Sequence, residues 1–500
     1  MKISRIIIIL FLSWSMLSCS NWLEVDPELE VYEETMFENE QGYFMAVNGV
    51  YAMLSDRNLY GQELLYGAME AWGRTYDLHD LYHNGYYALA HFDYENASAK
   101  EYAEAIWQKC YKVIAETNNI IQNLEADSKT SFTGGETTRN MIRGELYAVR
   151  ALMHFEIVRI FAQAPILDGG GVTATVPYVT EFPSRVNTPM PTKDILANIL
   201  SDLKKAQEWI KPFDTEPSNP GYSMWSAYYT EEKLKANENV GRQFHEVEFF
   251  RYRAHRLNYF AITHLLARVA LYAGDKEVAF EEANRLVEWL KKDRPCKFTL
   301  LGYMGDPVNQ MPCSPRLQEE ILFGGNNTNL PDWVERYFWS TGNQQYHLNI
   351  KDKLSIFSDN LEDIRLKSIP GTKVTKFVIE GRDEATIAKW ENLIPIFRIP
   401  ETFLIAAEAI MDKDLGKAVE IYNYLMDKRG NQVYKFSQEA LPTPQDFLEA
   451  VVKEYRREYI GEGQMVFVYK RLNIPVREGS ILVDHYGKLV LPVPDSEDIL

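Results

Sequence analysis

Cysteine is almost missing from this 500-residue chain: only Cys19, Cys110, Cys296 and Cys313 occur. With Cys19 at the end of an N-terminal apolar segment, three remain, and an odd number argues against a disulfide framework. Cys296 and Cys313 flank a loop-like segment and are able to pair in an oxidising compartment, but free buried thiols are the default. Positive charge is also short, with 53 Lys and Arg against 71 Asp and Glu and a net charge of −18. No basic run interrupts this excess, which is unsuited to nucleic-acid phosphates. Long apolar runs are missing too. The strongest, Ile6–Leu12, falls well short of the roughly 20 residues that a membrane-spanning helix needs.

Catalytic signatures are equally scarce. "DGGGV" (Asp168–Val172) has neither the spacing nor the lysine of a phosphate loop, and "GEGQM" (Gly461–Met465) is no dinucleotide fingerprint. No G-x-S-x-G elbow or EF-hand loop is found. In "DLHDLYH", His79 and His83 stand four apart, but the glutamate of a zinc-protease helix is missing, so they read as exposed or hydrogen-bonded histidines. No metal and no cofactor is expected. The abundant carboxylates leave a glycoside-cleaving pair open, and nothing singles out two of them.

What the chain does have is helical periodicity. Ala103–Ala126 places Ile106, Cys110, Val113, Ile114, Ile120 and Ile121 along one face, and Arg143–Ala162 is a second strong helix. Thr192–Ile210 is a third, with Thr192 as N-cap and Pro212 beyond its end. Leu265–Val287 and Leu404–Met426 superpose as two copies of one unit: Ala267 on Ala406, Ala270 on Ala409, Asp275 on Asp414, Ala279 on Ala418 and Leu286 on Leu425. Small residues at such places let two antiparallel helices approach across a short turn, the logic of tetratricopeptide units. The expected fold is all-α, a tetratricopeptide-like scaffold of helical hairpins. Long irregular loops fall at Tyr60–Ser98, Pro212–Phe249 and Lys297–Glu391, and minor β pieces at Lys373–Glu380 and Lys488–Pro494.

Those loops are rich in aromatic residues, which argues against disorder. Tyr82, Tyr86, Tyr87, Phe92 and Tyr94 crowd one stretch, with Asn84 and Arg74 nearby. Trp333, Tyr337, Phe338, Trp339 and Tyr346 crowd another, among Asn326, Asn327, Asn329, Asp332, Asn343 and Gln344. A flat apolar ring beside amides and acids suits a sugar, packing on its C–H face while polar groups bond its hydroxyls. Rings that plug loops onto a scaffold have the same composition. Tyr86, Tyr87, Trp333, Tyr337, Trp339 and Tyr346 are the candidate ligand-binding residues, and catalytic residues are expected to be none.

The N-terminus reads as an export signal over residues 1–18. Lys2 and Arg5 are followed by the apolar run and by "MLSC" (Met16–Cys19), a lipobox-like site with Met16 where Leu is commoner. The mature chain would then begin at Cys19 as a single domain, 19–500. Its thiol would carry a diacylglyceryl group and its amine a further acyl chain, together a stable anchor.

In order along the chain, several segments resemble the SusD/RagB family of surface lipoproteins from Bacteroidetes. They are "CSNWLEVDP" (Cys19–Pro27), Phe37–Leu54, Gly144–Ile166 with Arg150, Ala151 and Phe155, and Ile394–Ala409 with Arg398, Glu401, Leu404 and Glu408. Asn423 and Arg429 follow, and Val451–Leu472 carries Glu454, Arg457, Glu458, Glu462 and Gly463, with Gln464 and Met465 where the family usually has an arginine. The resemblance implies a helical scaffold that binds a nutrient, usually a glycan, at the outer surface. It implies delivery to a SusC-like TonB-dependent transporter and no enzymatic activity. Arg398, Glu401 and Glu408 would be buried salt-bridge residues. The other readings are a surface glycoside hydrolase using a carboxylate pair and a tetratricopeptide-type scaffold that binds only protein. On the anchor reading, Cys19→Ala leaves the fold intact and moves the protein from the membrane to the soluble fraction, which cell fractionation measures.

Overall fold

The computed structural model describes residues 36–79, 84–184, 187–216, 248–251, 253–291, 320–339, 348–363, 365–366, 369–374, 376–377 and 391–495. The expectations for residues 1–18, Cys19, His83, Cys296, Cys313 and Tyr346 lie outside them. Helix α1 (Glu40–Leu54) starts at Asn39, whose side chain accepts from the Gly42 amide at 3.1 Å. Short helices α2 (Ala68–Trp72) and α3 (Gly85–Ala90) follow among turns. The long helices are α4 (Ala97–Ala126), α5 (Glu136–Phe161), α6 (Thr192–Thr215), α7 (Tyr259–Ala273) and α8 (Lys276–Lys291). After the one-turn α9 (Leu330–Val334) come α10 (Ile399–Ile410), α11 (Leu415–Lys428), α12 (Pro444–Glu458) and α13 (Met465–Leu472).

Neighbours in sequence are neighbours in space: α4 packs on α5, α5 on α6, α6 on α7, α7 on α8, α8 on α10 and α10 on α11. The pattern of α4 explains its place, because Ile106, Cys110, Val113, Ile114, Thr117, Ile121 and Leu124 are buried at spacings of three and four. Asn96 caps it by accepting from the Ser98 amide at 3.0 Å, so it begins a turn and a half before the expected start. By contrast α5 is buried nearly all round from Gly144 to Phe161 and forms the centre of the core. The two matched units are real hairpins with the same joint. Asp275 accepts from the Val278 amide at 3.0 Å, and Asp414 accepts from the Lys417 amide at 2.9 Å. Ala267, Ala270, Ala279, Ala406, Ala409 and Ala418 are all buried between the helices.

Three expectations are corrected. Helix α6 runs through Pro212 to Thr215, and Pro191 rather than Thr192 is its N-cap residue. Buried Phe213 and Asp214 draw the chain one turn further, with both Asp214 carboxylate oxygens on the Arg253 guanidinium at 2.8 and 2.6 Å. This packing outweighs one missing backbone hydrogen bond. The β pieces also lie elsewhere. The described part of Lys373–Glu380 is irregular and turn, and Lys488–Pro494 is irregular. In the latter, Pro492 and Pro494 have no N–H to give a ladder, while Leu489 and Leu491 are buried.

The described strands form four antiparallel pairs: β1 (Tyr76–Asp77) with β5 (Asn349–Ile350), and β2 (Ala174–Val176) with β3 (Met190–Pro191). The others are β4 (Ile321–Asn326) with β6 (Leu393–Arg398), and β7 (Val476–Glu478) with β8 (Ile481–Val483).

Where β6 runs into α10, a buried ionic cluster joins six segments of the chain. Arg429, at the end of α11, donates to Glu320 at 2.5 and 2.7 Å and to Glu458 at 2.6 Å. Arg398 takes both oxygens of Glu462 at 2.9 and 2.8 Å and donates to the Glu458 carbonyl at 2.6 Å. Arg365 reaches Glu454 at 2.5 Å, Glu458 at 2.8 Å and Asp363 at 2.7 Å. Burial alone would raise the Glu458 carboxyl, but Arg429, Arg365 and Arg398 hold it well below the usual range. Gly463 sits beside this cluster at φ +66°, where an added Cβ would lie 2.5 Å from the Leu65 carbonyl oxygen. Only glycine fits there.

Removing one member of such a cluster strands buried partners. Arg429→Ala, which leaves Glu320 and Glu458 short of a cation, is expected to cost about 3–5 kcal/mol. Lys453→Ala, at a solvent-exposed pair with Glu449, should cost less than about 1 kcal/mol. Urea unfolding of the two variants checks the contrast.

Candidate functional site

The two aromatic-rich loops converge into one junction. Strand β1 from the first pairs with β5 from the second, and the ring of Tyr86 lies 6.4 Å from that of Tyr337. Tyr66 fills the space between, with centroids 6.2 Å from Tyr337, 5.5 Å from Phe338 and 5.3 Å from Phe377. The candidates therefore divide into a floor and a surface. Tyr86 and Tyr337 belong to the floor, being 0% and 2% exposed. This corrects the expectation that they present rings to a ligand: their hydroxyls are engaged inside. Tyr86 donates to Glu63 at 2.9 Å and accepts from Gln62 at 2.9 Å, while Tyr337 accepts from Arg57 at 2.5 Å. Tyr86 also stacks on Tyr102 at 5.0 Å.

Trp333 and Tyr87 are half-buried and reach the surface. Trp333 is carried by α9, which is pinned from below by buried Leu330 and Val334. The segment before α9 is tied to the end of α1, where Ser55 Oγ accepts from the Asn326 amide at 3.1 Å and the Ser55 carbonyl accepts from Asn327 at 2.8 Å. The indole edge lies on Gly61, where an added Cβ would be 2.8 Å from Trp333 Cζ3. Asp332, Glu335 and Arg336 are exposed around it. Tyr87 stacks on the exposed His91 at 3.9 Å. Trp339 closes the wide helical turn Glu335–Trp339.

The sequence reading missed Arg57. This exposed arginine donates to Gln62 at 3.0 Å as well as to Tyr337, so its guanidinium is held against the floor, on the same turn-rich segment as Gly61. Only its position in a polar turn, "SDRN" (Ser55–Asn58), marks it in the sequence. An indole and a held guanidinium carried by one junction supply an apolar face and hydrogen-bond donors, the two components that orient a sugar.

The other polar candidates have structural partners. Arg74 bridges to Glu478 at 2.5 Å and stacks over Phe92 at 5.1 Å. Asn84 caps α3 by accepting from the Tyr86 amide at 2.9 Å. Glu401 binds Arg268 at 2.8 Å and Glu408 binds Arg471 at 2.5 and 2.8 Å, both as buried pairs. Cys110 is a free buried thiol. Gln464, standing in place of an arginine, accepts from Arg159 at 3.2 Å, and Glu462 takes Arg398 and Lys376 instead. Among the described residues no group of three or more His, Cys, Asp or Glu is placed to hold a metal, and no helix is long and apolar enough to cross a membrane.

Comparison with known proteins agrees with this architecture. Residues 21–229 match a SusD-like family described as starch-binding and associating with the outer membrane, and residues 311–487 match the SusD family proper. The chain belongs to the SusD/RagB family. A SusD-like protein of Formosa agariphila, P25, is 30% identical over 245 residues, 48% of this chain and 44% of that protein. The chain thus aligns with less than half the length of the curated relatives it matches. A SusD superfamily structure from Bacteroides thetaiotaomicron superposes with a TM-score of 0.68 at 20% identity, covering 92% of this chain and 97% of that one. A SusD-like carbohydrate-binding protein from Bacteroides vulgatus gives 0.65 at 18% identity, covering 92% and 96%.

One carboxylate in the floor is sensitive to pH. Burial pushes Glu63 up to about 7, against the pull of hydrogen bonds from Tyr86, the Ala68 amide and Gln62 and of the nearby Arg57 charge. A folded-state value above the usual 4.5 makes its contribution complete below that value and lost as pH rises through 7. Thermal midpoints of Glu63→Gln are expected to decline less steeply than wild type between pH 5 and 8.

Proposed function

We propose that this protein is a lipid-anchored, surface-exposed glycan-binding subunit that captures oligosaccharides and passes them to a SusC-like TonB-dependent outer-membrane transporter. The observation that carries the binding role is Trp333, half-exposed on Gly61 at the junction that also holds the exposed Arg57 against Tyr337. The starch-binding description of the matched family and the carbohydrate-binding relative support the ligand class. The acylated Cys19 would hold the protein at the outer membrane with which the matched family associates. Binding without catalysis fits Glu63, the buried carboxylate under the junction. Its two oxygens already take Gln62, Tyr86 and the Ala68 amide.

The test is calorimetric titration of a glycan panel that includes starch oligosaccharides. Trp333→Ala and Arg57→Ala should each weaken the ligand that binds by about ten-fold or more, with unfolding midpoints near wild type. Ligand binding unchanged in both variants would move the site away from this face. Release of reducing ends from the bound glycan would replace the binding role with hydrolysis.

A further inference from the structure

The place where α5, α7, α10, α12 and α13 meet is not filled by side chains. A chamber of about 30 Å³ lies there, walled by Arg159, Arg268, Tyr272, Glu401, Gln464 and Arg471 among apolar neighbours. Two polar atoms of its walls are buried and have no protein partner among the described residues: the Tyr272 hydroxyl and Arg159 Nε. Both terminal nitrogens of the Arg159 guanidinium are engaged. Nη2 binds both oxygens of Glu156 at 2.5 Å, and Nη1 donates to Gln464 at 3.2 Å. Each guanidinium of the chamber has its own carboxylate, Arg159 with Glu156, Arg268 with Glu401 and Arg471 with Glu408. The charges balance pair by pair, so the walls do not call for a small anion.

A buried donor without an acceptor is costly, and a polar space of this size accommodates a water that makes two to four hydrogen bonds. We infer that the chamber is a resident-water site in which an ordered water accepts from Arg159 Nε and bonds the Tyr272 hydroxyl. The water completes the polar contacts between α5 and α7. A surface cleft of about 470 Å³ shares Leu271, Tyr272 and Arg471 with the chamber and supplies the way in.

A high-resolution crystal structure tests this directly. Density for a water within hydrogen-bond distance of both atoms is expected, and a dry chamber overturns the inference. Bromide soaking separates the sources: an anomalous peak in the chamber identifies an anion site and also overturns it. In solution, Tyr272→Phe deprives the water of a partner and should lower the thermal midpoint by about 1–2 °C. An unchanged or higher midpoint means that the hydroxyl was bonded to nothing, and sinks the inference.

Discussion

The scaffold depends on carboxylates and guanidiniums that have left water together. Glu458 stands between Arg365, Arg398 and Arg429, and each of these arginines comes from a different part of the chain. A charge buried this deeply is tolerated only while every partner is in place. The cluster therefore acts as a check on assembly: α10, α11, α12, the segment before β4, and Asp363 with Arg365 must arrive in one arrangement. Apolar packing between helices with small residues would accept many rotations and slides. The fixed fork of a guanidinium accepts few.

This division of labour explains why helices and loops behave differently along the chain. The hairpins are local, and their alanines and capping aspartates stand next to what they touch. The loops are held by long-range polar ties, such as Ser55 to Asn326 and Asn327, and Glu70 to the amides of Gly461 and Gly463 at 2.8 and 2.7 Å. Loops fixed in this way offer rigid side chains to a ligand, which lowers the ordering cost of binding.

The same distinction set what was legible in the sequence. Periodicity located the long helices, and the offset pairing of Asp275 with Asp414 identified equivalent joints before any coordinates. Five of the eight members of the ionic cluster, Arg398, Arg429, Glu454, Glu458 and Glu462, stood in the segments that carry the family resemblance. Glu320, Asp363 and Arg365 did not, because they lie in aperiodic segments and acquire partners only in three dimensions. Among the aromatics, composition singled out Tyr86 and Tyr337 but could not tell floor from surface. Their hydroxyls meet Glu63, Gln62 and Arg57 inside, and nothing in the neighbouring residues announces that. Pro212 misled because a local rule about proline was overridden by the tertiary pull of Arg253 on Asp214.

The β4–β6 pairing has a consequence for how such a molecule changes over time. It sets Asn326 beside Leu393 and continues with the Asn327 amide on the Asn392 carbonyl at 2.9 Å. The long insertion that carries Trp333 and Tyr337 therefore leaves and re-enters the scaffold at one point. A segment with adjacent ends can lengthen, shorten or be exchanged at small entropic cost to the frame. What must be kept is the clasp, the contacts on residues 57–86 and the ties of Asp363, Arg365 and Lys376 to the ionic cluster. The frame is thus a socket, and only the part of the insertion outside those ties is free to change.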